Sequence, residues 1–234
     1  MSTGLAEVVP PVVAAEERFT DPPDVVLFDA ERALLARAVD KRRREFATVR
    51  HCARRALAAL GHPPVALLPG ERGAPQWPAG VVGSMTHCAG YRAAAVARAS
   101  DVLTIGIDAE PHVALPDGVL AAIALPQERA RLAQLHAAER SVCWDRLLFS
   151  AKESLYKAWF PLTRRWLDFE QALVTIDPVG RTFSARLLVP GPTVHGRSLQ
   201  TFRGRWRLHD ELVLTAITVL AQPAAGTAGP AAAR

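Results

Sequence analysis

Phe149-Ser150-Ala151-Lys152-Glu153-Ser154-Leu155-Tyr156-Lys157 sets an acid between two lysines on one stretch of chain, and its reading decides the rest. From Ser141 to Phe160 the pattern is helical. Trp144, Leu148, Leu155 and Trp159 make an apolar stripe, and Pro161 is expected to end the run. On that helix Glu153 and Lys157 stand four apart and share a face, with Phe149 one turn earlier. The composition makes the lysines conspicuous. Of 28 basic residues only Lys41, Lys152 and Lys157 are lysine; all the others are arginine. Lysine is a compact, mobile ammonium and arginine a rigid fork, so the two are not interchangeable at a phosphate.

Upstream, Leu103 to Asp108 reads as a short strand that runs into Gly106-Ile107-Asp108-Ala109-Glu110. Residues two apart on a strand point the same way, so Asp108 and Glu110 present their carboxylates to one face. Val81 to Tyr91 reads as strand, polar turn, strand, the second strand being the small-residue run Arg92 to Ala97. Further upstream the spacing predicts one helix from Asp29 to Leu60, stopped by Gly61-His62-Pro63-Pro64. Its polar face carries Lys41, Arg42, Arg43, Arg44, Arg50, Arg54 and Arg55, and Pro69-Gly70-Glu71-Arg72-Gly73 reads as a turn. Gly118 to Leu135 is helical and interrupted at Pro126. After Trp166 the pattern turns to strands: Ala172–Ile176, Thr182–Val189, Leu199–Arg203, Gly204–Leu208 and Leu212–Leu220, the last two forming a hairpin across His209-Asp210-Glu211. The Ala/Gly/Pro-rich end from Gln222 to Arg234 is expected to be disordered. Each half holds a long helix followed by strands, which allows a duplicated α/β layout.

The chain has 234 residues, half of them hydrophobic, with mean hydropathy +0.09, and this excludes a disordered polymer. No apolar run approaches a membrane span, and Met1 to Ala15 lacks the basic start of a signal peptide. Cys52, Cys88 and Cys143 are odd in number and form no metal-type spacing, as expected of reduced thiols in a cytoplasmic protein. The net charge of +5 points to an acidic partner: nucleic acid, a polyphosphate or an acidic protein.

Singly, each motif has a plain reading: a surface Glu-Lys pair, an ordinary loop at Asp108 and Glu110, a structural His87, a solvated arginine face. Together they read differently. Oxygen donors without a His/Cys cluster suit Mg²⁺, with Mn²⁺ as an alternative. A metal, ammonium groups and arginines in one pocket are the equipment for moving a phosphate-linked group. No glycine-rich phosphate loop, dinucleotide fingerprint, helix-turn-helix or zinc-finger spacing is present. A basic, non-catalytic nucleotide- or nucleic-acid-binding module stays open as the alternative; its binding survives metal chelation and makes no covalent product.

In order and spacing, Gly83-Ser84-Met85-Thr86-His87-Cys88, Ile105-Gly106-Ile107-Asp108-Ala109-Glu110 and the nonapeptide resemble the three motifs of 4′-phosphopantetheinyl transferases. They are closest to the branch that activates enterobactin- and surfactin-type synthetases. Arg43-Arg44-Glu45-Phe46 through Arg50-His51-Cys52-Ala53-Arg54, and Trp159-Phe160-Pro161-Leu162-Thr163 to Trp166, resemble the actinobacterial members. The likeness runs from Ala30 to Leu220.

This resemblance implies an α/β (α+β) monomer of two similar pseudo-symmetric subdomains, each a long helix packed on a small sheet, with the active site in the cleft between them. The corresponding divisions are an N-terminal segment 1–28, subdomains 29–117 and 118–221, and the tail 222–234. The implied donor is coenzyme A, whose phosphopantetheine arm passes to a serine of an apo acyl or peptidyl carrier protein, releasing adenosine 3′,5′-bisphosphate. By the same resemblance Asp108, Glu110 and Glu153 hold Mg²⁺, Glu153 is the base, and Lys157 and Lys152 neutralise phosphate charge. Arg42, Arg50, Arg72 and His87 hold the phosphates of the adenosine end, Ser84 and Thr86 shape that loop, and Trp166 lines the pantetheine channel. Pro69 departs from the family pattern, which carries a further lysine there, and leaves Arg72 as the nearest cation.

Overall fold

The computed structural model describes residues 4–194 and 196–221. In chain order the elements are β1 (Ala14–Arg18), α1 (Asp29–Ala33), α2 (Asp40–Ala59), β2 (Val81–Cys88), β3 (Tyr91–Arg98), β4 (Val102–Pro111), α3 (Val119–Ile123), α4 (Pro126–Ala138) and α5 (Trp144–Thr163). They are followed by β5 (Ala172–Asp177), β6 (Thr182–Leu187), β7 (Thr193–Val194), β8 (Arg197–Ser198), β9 (Thr201–His209) and β10 (Leu212–Leu220). Every strand pair is antiparallel. One sheet has the order β1-β3-β2, a second β4-β10-β9-β6-β5, and β7-β8 is a small ribbon.

The alternation of β3 explains the layering. Ala94 and Val96 face α2 and pack on Cys52, Ala53, Ala56 and Leu57. Ala93, Ala95 and Ala97 face the other way, toward Ile105, Ile107, Leu214 and Ala216, and Leu5, Val8 and Val13 close that layer. Beyond it, α5 lays Trp144, Leu148, Leu155 and Trp159 on Phe202, Trp206, Val213 and Ile217 of the second sheet. Each long helix thus has its own sheet, giving the two-subdomain mixed α/β architecture.

The structure differs from the sequence reading in three places. The first helix breaks at residues 34–39, where Arg43 donates to the carbonyls of Ala36 and Ala38; Leu34 and Val39 are exposed and contribute nothing to the core. Pro161 does not end α5. The helix runs to Thr163, because a proline in the last turn removes only one bond, and Arg164 closes the end in a left-handed conformation. The stretch read as two strands at 199–208 is the single strand β9, whose hairpin to β10 turns on Asp210 and Glu211, both at positive φ. Backbone pairing puts β4 in the sheet of the second half and β1 in that of the first, so the two sheets part between β3 and β4. The tail assigned to disorder lies outside the described residues.

Candidate active site

Gly106 lets α5 rest directly on β4. A Cβ there would lie 1.9 Å from the Ser154 carbonyl oxygen and 2.7 Å from the Ala158 nitrogen. The Thr104 hydroxyl donates to the Ala158 carbonyl at 2.8 Å, which locks the same contact. This close seating brings Lys157 to the strand. Its Nζ donates to Asp108 Oδ1 at 2.8 Å and to the Ile107 carbonyl at 3.1 Å. β2 and β4 share no backbone ladder, and two hydroxyls replace it: Ser84 accepts from the Ile107 N–H, and Thr86 accepts from the Ala109 N–H while donating to Asp108 Oδ1. Ser84 and Thr86 therefore pin the two halves together, and Ser84 also reaches the cavity described below.

Asp108 is buried, and its Oδ2 has no hydrogen-bond partner. An open carboxylate oxygen in a buried place is costly and calls for an explanation. Burial pushes the carboxyls of Glu153 and Glu110 upward, and the negative Asp108 adds to both shifts. Lys157 opposes them, and Arg146 restrains Glu110 further through an ion pair of 2.9 Å. Among the described residues no group of three or more His, Cys, Asp or Glu stands ready to enclose a metal ion. Mg²⁺ does not need a closed cage, since it takes one or two carboxylates plus water and substrate phosphates. An all-oxygen donor set with an open Asp108 Oδ2 fits such a cation.

A cavity of about 1080 Å³ opens between α2, β2 and the C-terminal half of α5, with Glu153 and Lys157 on its wall. Its α2 side is cationic. Arg42 Nη1 lies 2.7 Å from His87 Nε2; an arginine can only donate, so His87 accepts with a neutral ring. Burial first, then Arg42, holds the His87 pKa below its ordinary value. Arg43 is spent on Ala36 and Ala38, which leaves Arg42 as the cavity residue of the arginine run. Arg50 donates from Nε to the Leu67 carbonyl at 2.9 Å, lies 3.1 Å over the Phe46 ring and stands 3.8 Å from the fully buried Glu31. Burial lowers its pKa to about 10 despite Glu31.

One expected site residue stands elsewhere. Lys152 leaves the cleft altogether: its buried Nζ pairs with Glu128 at 2.9 Å and donates to the carbonyls of Phe169 and Ala172. It sits between α4, α5 and the start of β5 and meets no phosphate pocket. Arg72, by contrast, does line the cavity, with its guanidinium 5.4 Å over the ring of Trp166. Trp166 is half exposed and leans on Tyr156 at the rim, 4.9 Å between centroids.

Sequence reasoning missed Arg146, Tyr156 and Arg164. Arg146 is seven residues before Glu153 and eleven before Lys157, the spacing of one helical face, so periodicity carried a signal for it. Tyr156 stands inside the nonapeptide and Arg164 seven residues after it, and neither carried a further signal.

Two family descriptions match the chain in tandem. The 4′-phosphopantetheinyl transferase N-terminal domain matches residues 30–97, and the 4′-phosphopantetheinyl transferase superfamily matches residues 104–216. The chain belongs to the 4′-phosphopantetheinyl transferase superfamily. The junction falls where the two sheets part, between β3 and β4. Curated relatives agree. The 4′-phosphopantetheinyl transferase Svp of Streptomyces mobaraensis is 60% identical over 96% of this chain and 92% of its own length. PptT of Mycobacterium tuberculosis is 52% identical over 94% and 99%, and Npt of Nocardia iowensis 52% over 90% and 97%. Phosphopantetheinyl transfer is thus the activity these likenesses support; the non-catalytic binding module expected as an alternative finds no support among them.

Proposed function

We propose that this transferase takes coenzyme A as donor and passes its phosphopantetheine arm to a serine of apo acyl or peptidyl carrier proteins, acting as a cytoplasmic monomer with Mg²⁺. The observation that carries this reading is a cavity that Glu153 and Lys157 line together with Arg42, Arg50 and His87, with Asp108, whose Oδ2 has no partner, bound to Lys157 behind that wall. Asp108, Glu153 and, behind them, Glu110 would hold the cation, which when bound supplies charge neutralisation at the pyrophosphate. Glu153 stays basic because burial and Asp108 raise its pKa, which suits a proton acceptor for the serine hydroxyl. The serine oxygen forms a bond to the phosphorus that carries pantetheine. The bridging oxygen leaves with adenosine 3′,5′-bisphosphate, and the proton goes to Glu153. Lys157 faces the charge that develops there, and Arg42, Arg50 and His87 hold the adenosine-end phosphate. The net charge of +5 favours encounter with acidic carriers.

Intact-mass measurement of apo carriers incubated with coenzyme A and Mg²⁺ tests the reaction. A phosphopantetheine mass gain that EDTA abolishes supports it; no gain on fatty-acid, polyketide or peptide carriers overturns it. The adenosine end has its own test. Dephospho-coenzyme A should show a raised KM, since charge-assisted hydrogen bonds of roughly 1.5–3 kcal/mol each are lost, less where solvent reaches them. Arg50→Ala should erase most of the preference between the two donors. An undiminished preference removes Arg50 from the phosphate site.

A further inference from the structure

Tyr156, Phe160, Arg72 and Arg164 make a further stretch of the cavity wall, both aromatic and basic. Trp166, Tyr156 and Phe160 form a run of rings, with centroids 4.9 Å apart for the first pair and 5.8 Å for the second. An arginine caps each end: Arg72 lies 5.4 Å over Trp166, and Arg164 lies 5.8 Å over Phe160. Both arginines line the cavity and come from different halves of the fold. Both also hold a left-handed backbone, φ 51° at Arg72 and φ 54° at Arg164, where glycine is the ordinary choice. Gly73 directly follows Arg72 and takes a positive φ itself, so glycine was at hand in this turn. Non-glycine residues in strained conformations cluster where function over-determines them.

His87 and Arg50 lie within the electrostatic reach of Arg42. Tyr156 feels Arg72, together with Glu153 and Glu71. The Arg42 end has the buried guanidinium of Arg50 and the neutral His87 for phosphate. The aromatic end offers ring faces to the less polar arm of the donor, with two cations beyond them. An arm ending in a free thiol has no use for those cations. A carboxylate at the end of an acyl group does.

We propose that Arg72 and Arg164 are specificity-determining residues that favour donors whose thiol carries a carboxylated acyl group, the half-thioesters of short dicarboxylic acids, over neutral acyl donors of equal size. This rests on the reading of coenzyme A as donor with its arm toward Trp166. The reaction is unchanged: the serine oxygen–phosphorus bond forms, the bridging phosphorus–oxygen bond breaks, and Glu153 takes the proton. The thioester is untouched, so the carrier receives the acylated arm in one step. Glu71, next to Arg72, keeps the attraction modest, and solvent screens both arginines.

Malonyl-coenzyme A and acetoacetyl-coenzyme A make the test, because they are nearly isosteric and differ by one negative charge. Both are offered with Mg²⁺ to one apo carrier domain, and kcat/KM is read from the acylated carrier mass. The wild type should prefer malonyl roughly two- to fivefold, as expected of exposed charge pairs. The preference should shrink with added NaCl, and Arg72→Gln/Arg164→Gln should bring the ratio to one. Reading a ratio within each enzyme cancels any general loss of activity or folded fraction. Equal rates for the two donors in the wild type overturn the proposal, as does a ratio that survives in the double variant. If neither thioester nor coenzyme A itself gives transfer, the donor reading fails instead.

Discussion

Lys152 and Lys157 lie five residues apart on α5 and live in opposite electrostatic worlds. The Lys152 ammonium is closed: Glu128 stands at 2.9 Å, two carbonyls accept its remaining protons, and Glu128 in turn accepts the N–H groups of Leu125 and Val174. Every charge there has its partner, and the group ties α4, α5 and β5 into one body. Lys157 is open. It shares Asp108 with Thr86, leaves Asp108 Oδ2 without a partner, and faces Glu153, whose carboxyl is pushed upward. Lys152, Glu128 and Asp108 are buried, and Glu153 and Lys157 partly so. What differs is whether the charges balance, and the unbalanced place is the one that lines the cavity.

If that contrast is right, breaking the closed pair should hurt the fold before it hurts chemistry. Lys152→Met strands the Glu128 carboxylate in the interior, and loss of one partner of a buried pair costs about 3–5 kcal/mol. Chemical denaturation should show a lower midpoint. Where the variant remains folded, its KM for coenzyme A should stay close to wild type. A KM raised tenfold in a folded Lys152→Met would return this lysine to the phosphate site.

The next effect belongs to the open place. Glu153→Gln keeps size and removes basicity, and general-base catalysis contributes typically 10²–10⁴-fold. A kcat loss of about that order is expected, with coenzyme A binding largely retained and no drop in thermal stability in the absence of metal. Near-wild-type turnover would exclude Glu153 as the base and leave Asp108 or a water as the acceptor.

The same contrast explains what the sequence could and could not reveal. The β4 and α5 motifs were legible because strand and helix periodicity fix which side chains share a face: Asp108 with Glu110, Glu153 with Lys157. Gly106 was quoted within its motif, yet its reason, the contact of its backbone with Ser154 and Ala158, is tertiary. The resemblance gave Lys152 a phosphate alongside Glu153 and Lys157, while adjacent helical residues diverge by about 100° and Lys152 points to another neighbour. Nothing in the stretch Phe149–Lys157 announces Glu128, which comes from another helix. The resemblance gave Arg72 the adenosine end as the cation nearest Pro69, and its contact with the Trp166 ring is tertiary, with no signal in the turn. The break at residues 34–39 escaped because Leu34 and Val39 keep the helical spacing while lying in solvent.

The smallest expected effect is also the most direct view of the imbalance. Glu153 has a folded-state pKa above its ordinary value, chiefly from burial and then from Asp108, and Glu110 shifts the same way. The folded protein therefore holds these protons more tightly than the unfolded chain does. By linkage, their contribution to stability is fully present below the ordinary carboxyl pKa, about 4.3, and is lost as pH rises through the raised folded values. At neutral pH the ionised Glu153 is a net cost, and Glu153→Gln removes it. In chelator-treated protein the variant should melt slightly above wild type at pH 7.5, and the difference should fade as pH drops toward 4. Saturating Mg²⁺ should reverse the order, because a ligand that binds only the folded state stabilises it and the wild type binds it better. If the two melting curves coincide at every pH and remain together with Mg²⁺, Glu153 feels neither Asp108 nor the cation. The open place would then be as balanced as the pair around Lys152.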